Sequence, residues 1–128
     1  MPTVMDPSKL NMTFAELVNA RDLEGLVSLY ESNALHQGTG PGELDAGLVE
    51  IEASLRKLLA VPGRMRSVNN FTLVVDDIAL LRADWRIEDN AGTVLAQGSS
   101  AEVARRQRDG SWRSLIDHAL GSSTPRID

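Results

Sequence analysis

Asp109-Gly110-Ser111-Trp112-Arg113-Ser114-Leu115-Ile116-Asp117-His118-Ala119-Leu120-Gly121 opens on an Asp-Gly turn signal and closes on a glycine. The residues between them predict a strand that carries one of the chain's two tryptophans and one of its two histidines. Alternation along a strand puts Trp112, Ser114, Ile116 and His118 on one face, and Arg113, Leu115, Asp117 and Ala119 on the other. If the first face looks inward, His118 becomes the functional candidate of this strand.

Working back from it, Arg108-Asp109-Gly110 is a turn, and Thr93 to Gln107 predicts one long strand with weaker alternation. Asp89-Asn90-Ala91-Gly92 is a hairpin turn. Before it, Ala79, Leu81, Ala83, Trp85 and Ile87 form an apolar face, and Arg82, Asp84, Arg86 and Glu88 a polar one. Val68 to Asp76 is strand-like and ends in a tight turn at Asp76-Asp77.

Upstream the period changes to that of helices. Leu48, Ile51, Leu55, Leu58 and Leu59 lie on one helical stripe, stopped by Val61-Pro62-Gly63. Gly38-Thr39-Gly40-Pro41-Gly42 reads as an open loop. No lysine and no GK[ST] ending follows, so it is not a phosphate loop. Ala34 to Gln37 predicts a brief strand. Asp22 is placed as an N-cap for Leu23, Leu26, Val27 and Tyr30, and Thr13 with Glu16 has the spacing of a capping box. The resulting fold class is α+β: three N-terminal helices packed on a curved antiparallel sheet, with a conical hollow between the layers. Small-molecule sites favour such hollows.

Composition narrows the function. A chain of 128 residues suits one domain, set here at residues 11–121 with loose termini at 1–10 and 122–128. A net charge of −5 with scattered arginines argues against nucleic acid as partner. The chain has no cysteine, and its two histidines lack HxH or HxxxH spacing, so no metal site is expected. No apolar run approaches membrane-spanning length and no leader pattern opens the chain, which sets the expectation of a cytoplasmic protein with no membrane partner.

Asn19-Ala20-Arg21-Asp22-Leu23 through Leu29-Tyr30 to Ala34, then Ala83-Asp84-Trp85, then Asp109-Gly110-Ser111-Trp112-Arg113 to Ile116-Asp117-His118 together resemble the nuclear transport factor 2-like superfamily. The closest branch is the SnoaL-like group, with its polyketide cyclases and ketosteroid isomerases. The resemblance covers roughly residues 11 to 121. It implies a cone-shaped, cystatin-like barrel, cofactor-free chemistry where there is any, and a homodimer packed through the outer sheet face. The isomerase tyrosine falls on Phe14, which has no hydroxyl. The isomerase base falls near Gly38, and only the protonated second acid keeps an ionisable residue, at Glu102. Steroid isomerisation is therefore not implied. The epoxide-hydrolase branch suggests an Asp-Arg-Asp set in Arg82, Asp84 and Asp117. Alternation turns these three away from Trp85, Ile87 and Ile116, but a one-residue slip in register would reverse this, so the set stands as a further alternative.

Two functional expectations follow. One is a pocket that binds a small apolar or carbonyl-containing ligand, with Phe14, Trp85 and Ile116 as apolar wall, and Tyr30 and His36 supplying polar contacts. The other is a lyase, isomerase or cyclase in which His118 is the acid–base, oriented by Glu102. Each has a plainer counterpart: Tyr30 and Trp85 as core, His36 solvated beside the glycine loop, His118 capping the strand end. A protein-interaction domain is the third possibility, and it requires an exposed apolar patch.

Overall fold

Residues 3–123 are described in a computed structural model. A short 3-10 turn at Pro7–Lys9, capped by Asp6 on the Ser8 amide at 3.0 Å, leads into α1 (Leu10–Asn19). Thr13 lies inside this helix and donates to the Lys9 carbonyl at 2.8 Å, so the expected capping box is not the start of the helix. Arg21, in the left-handed region at φ 57°, turns the chain, and Asp22 caps α2 (Leu23–Val27) by accepting from the Gly25 amide. The segment before α1 is not loose from residue 3 onward. Val4 is buried, and its carbonyl accepts from the Trp112 amide. Residues 124–128 of the expected loose tail lie outside the described residues.

Helix α2 ends before Tyr30, whose expected place on its apolar face is taken over by strand β1 (Tyr30–Gln37). The Ser114 amide donates to the Leu29 carbonyl, and Tyr30 is in register with Ser114, so a distant strand decides this segment. After the glycine loop, whose Gly40 amide is held by the Glu43 carboxylate, come β2 (Leu44–Ala46) and α3 (Leu48–Leu59). Ile51 and Leu55 of the predicted α3 stripe are fully buried. The remaining strands are β3 (Arg64–Val75), β4 (Ile78–Glu88), β5 (Val94–Ser99), β6 (Ala101–Arg106) and β7 (Trp112–His118). The predicted single strand from Thr93 to Gln107 is two strands, broken at Ser100. The Ser100 amide and hydroxyl bind Ala83 of β4, and β5 and β6 pair with successive halves of β4.

The sheet runs β2-β1-β7-β6-β4-β3, with β5 also on β4. All of its pairs are antiparallel except β1 with β7. It is curved but open, with β2 and β3 as its ends, and so is not the closed barrel expected from the resemblance. The helices close the hollow instead. Val18, Leu26, Ile51 and Leu55 pack against Tyr30, Ala79, Leu81 and Ala104 of the sheet. Along β4 the predicted alternation is realised, with Ala79, Leu81, Ala83 and Ile87 buried.

Along β7 it is not. Ser114 pairs with Ala104 and Ile116 with Val103, so Leu115 is an extra, bulged residue. Trp112 and Ser114 face inward as alternation predicts; beyond the bulge the faces exchange, and Ile116 points outward at 44% exposure.

Candidate active site in the hollow of the sheet

The bulge has a chemical consequence. One register line crosses four neighbouring strands and places Asp45, His36, Asp117 and Glu102 side by side. All four line a cavity of about 510 Å³ whose apolar walls include Phe14, Leu55, Met65, Trp85 and Ile87. Helices α1 and α3 and strands β2, β1, β7 and β6 thus converge on one polar line in the hollow.

Each member of the line is held by a specific partner. The Tyr30 hydroxyl donates to Asp117 Oδ2 at 2.6 Å. The Asn11 amide, reaching down from α1, donates to Glu102 Oε1 at 2.9 Å. His36 Nδ1 lies 2.9 Å from Asp45 Oδ2, and that same oxygen accepts from the Ser54 hydroxyl of α3 at 2.6 Å. With Nδ1 donating to the carboxylate, the neutral form of His36 presents Nε2 as an acceptor.

Burial raises the Glu102 carboxyl from its ordinary 4.5 to about 8, and the adjacent Asp117 charge adds to this; hydrogen bonds from Ser100 and Asn11 oppose it in part. The Asp117 charge therefore disfavours ionisation of the buried Glu102 beside it. Burial, then the charge of Asp117, also raises Tyr30 well above 10, so it remains a neutral donor. Among the described residues, no group of three or more His, Asp or Glu side chains is arranged to hold a metal ion.

No protein-family model matches the sequence, and no curated protein does so either. Solved structures do match the fold. One from Thiobacillus denitrificans, named for a calcium/calmodulin-dependent protein kinase type II association domain, superposes with a TM-score of 0.80 at 18% identity, over 94% of this chain and 98% of that one. A nuclear transport factor 2-like protein of unknown function from Pseudomonas putida gives 0.71 at 17% identity, over 94% and 90%. A ketosteroid isomerase-like protein from Erwinia carotovora atroseptica gives 0.68 at 16%, over 85% and 88%. The chain has the nuclear transport factor 2-like fold.

Within this fold the residues singled out from sequence are distributed unevenly. Phe14, His36, Trp85 and Glu102 line the cavity, and the indole of Trp85 donates to the Ala119 carbonyl at 2.8 Å. Tyr30 stands behind the wall and reaches the site through Asp117. His118 does not join Glu102. It follows the inward-facing Asp117, lies outside the cavity lining, and accepts from the Leu120 amide at the strand end. Ile116 lies on the outer face and lines nothing. Arg82 and Asp84 are 3.3 Å apart on that outer face, across the sheet from Asp117, so the Asp-Arg-Asp set is not assembled. Asn11, Asp45 and Ser54 also line the cavity and were not assigned to it from sequence, and Asp117 entered only through the Asp-Arg-Asp alternative. Asp117 was hidden by the bulge, whereas Asn11, Asp45 and Ser54 carry no local signal of convergence.

Proposed function

We propose that this chain is a pocket protein that binds a small, mostly apolar molecule, with the polar end of the ligand against the Glu102–Asp117 pair. One observation carries the reading: the buried Glu102 and its neighbour Asp117 open onto a cavity of about 510 Å³ whose walls include Phe14, Leu55, Met65, Trp85 and Ile87. A core built only for stability gains nothing from a buried acid such as Glu102, which an apolar side chain of similar volume replaces at little or no cost. Native mass spectrometry of gently purified protein tests it. The expectation is an added mass of a few hundred daltons per chain, the size such a pocket encloses. A cavity that takes up no compound from a broad small-molecule screen would defeat the reading.

A second reading is supported by the Ser54–Asp45–His36 arrangement. It is a cofactor-free lyase or isomerase in which His36, rather than His118, is the base. Nε2 would take a proton from the carbon beside a substrate carbonyl, and the electron pair would move onto the carbonyl oxygen. Once a substrate is in hand, His36→Gln is expected to lower kcat by 10²-fold or more with KM little changed. Equal kcat in the two proteins excludes this role.

The outer face of the sheet suits a second copy of the chain. Leu35, Ile116, Val103, Leu80 and Leu73 are in register across five strands, and four of them are exposed. A contiguous apolar row on one sheet face is what a two-fold interface requires of a single chain.

A further inference from the structure

The polar line of the cavity is poor in hydrogen-bond donors. The Asn11 amide is taken by Glu102 and Asn69, the Tyr30 hydroxyl by Asp117, and the Ser54 hydroxyl and His36 Nδ1 by Asp45. Acceptors are in excess. Asp117 Oδ1 and His36 Nε2 have no donor among the described residues, and Glu102 receives only Asn11 and Ser100. None of these atoms is sealed off, since Ser114 Oγ is the one buried side-chain polar atom without a partner among the described residues. The charges agree. Glu43, Asp45, Glu102 and Asp117 line the cavity against a single obligate cation, Lys57 of α3. Strand β4 adds only Trp85 and Ile87 to the lining, and α1 only Asn11 and Phe14.

We infer that the ligand carries a cationic hydrogen-bond donor, an ammonium group on an apolar body, which seats between Glu102 and Asp117. The inference rests on the pocket reading and not on the proton-transfer reading. A carbonyl oxygen meets on this line only the Glu102 carboxyl as a donor, and a carboxylate meets the acidic side chains of Glu43, Asp45 and Asp117. An ammonium supplies three donors and one positive charge to a lining whose one obligate cation is Lys57. The cation takes the place of the Glu102 proton, so binding releases that proton.

The test is isothermal titration calorimetry of the full chain with three ligands of one shape: cyclohexylmethylamine, cyclohexylmethanol and cyclohexanecarboxylate. The amine is expected to bind at least about tenfold more tightly than the alcohol, with the carboxylate weakest. Below about pH 8 the site must lose its proton to admit the ammonium, which itself stays charged to about pH 10. Amine affinity therefore rises by up to about tenfold per pH unit from 6 to 8 and then levels. Heats in buffers of different ionisation enthalpy should show about one proton released per amine at pH 7. In Glu102→Gln the pH dependence vanishes. Should that variant not fold, the ligand series on the native chain decides alone. Alcohol binding as tight as amine, or a flat pH profile in the native chain, overturns the inference and leaves the pocket reading standing. Silence with all three ligands overturns both.

Discussion

Glu102 is 5% exposed, and its carboxyl faces a second carboxyl across one strand pair. Its ordinary value near 4.5 belongs to the unfolded chain, and the value near 8 to the folded one. Between those limits the folded state keeps a proton that the unfolded state has released. Stability is therefore full below about pH 4.5 and is lost as the pH rises through 8. The loss is bounded by about 1.4 kcal/mol per pH unit. Urea denaturation at pH 5, 6.5 and 8 should show a decline on the order of 1–3 kcal/mol, and Glu102→Gln should flatten it. A flat curve in the native chain would mean that Glu102 does not keep its proton in the folded state. Asp117 makes a related point at the same scale. Its identity was plain in the sequence, but whether it faced the hollow depended on a single bulged residue, Leu115.

At the scale of elements, most boundaries were legible because they are written in local chemistry. Asp22 caps α2, Asp76 turns β3 into β4, and the alternation from Ala79 to Ile87 is what β4 buries. The errors share a cause. Tyr30 and the break at Ser100 were settled by partners far along the chain, Ser114 and Ala83, that periodicity cannot see. The packing of elements also fixes residues with no local signature. A Cβ on Gly63 would lie 2.7 Å from the Glu88 carbonyl oxygen and 2.8 Å from Ile87 Cγ2, at the start of β3. Gly63→Ala must therefore push β3 off β4 at the mouth of the hollow. The expected cost is about 1–3 kcal/mol, read as a lowered urea midpoint with unchanged slope. An unchanged midpoint would show that this end of the sheet yields freely.

At the scale of the molecule, the chain has two faces of opposite use. The concave side of the sheet is closed by helices around the carboxyl line, and the convex side carries the apolar row from Leu35 to Leu73. Leu73 is 60% exposed and Leu80 42%, side by side in register on β3 and β4. With this row covered by a second copy, sedimentation should give twice the chain mass. Leu80→Asp is then expected to give single chains with an unchanged circular dichroism spectrum, because its carboxylate would be buried unpaired in the interface. A native chain that sediments as a monomer would leave the row for a different partner. Among the described residues no helix is long and apolar enough to cross a membrane.

The sequence by itself determined the layer order, the helical stripes, the hairpin turns and the inward face of β4. Each of these follows from forces acting within a few residues, such as caps, turn geometry and side-chain period. It also marked Glu102, Phe14, His36 and Trp85 as residues of the hollow. Only the tertiary structure decided that Asp117 and not His118 lines the hollow, and that Asp45, held by Ser54, meets His36. Those facts depend on register between strands up to about eighty residues apart. One extra residue in β7, absorbed as a bulge, exchanges the two faces of everything after it, and no local preference in the sequence records that exchange.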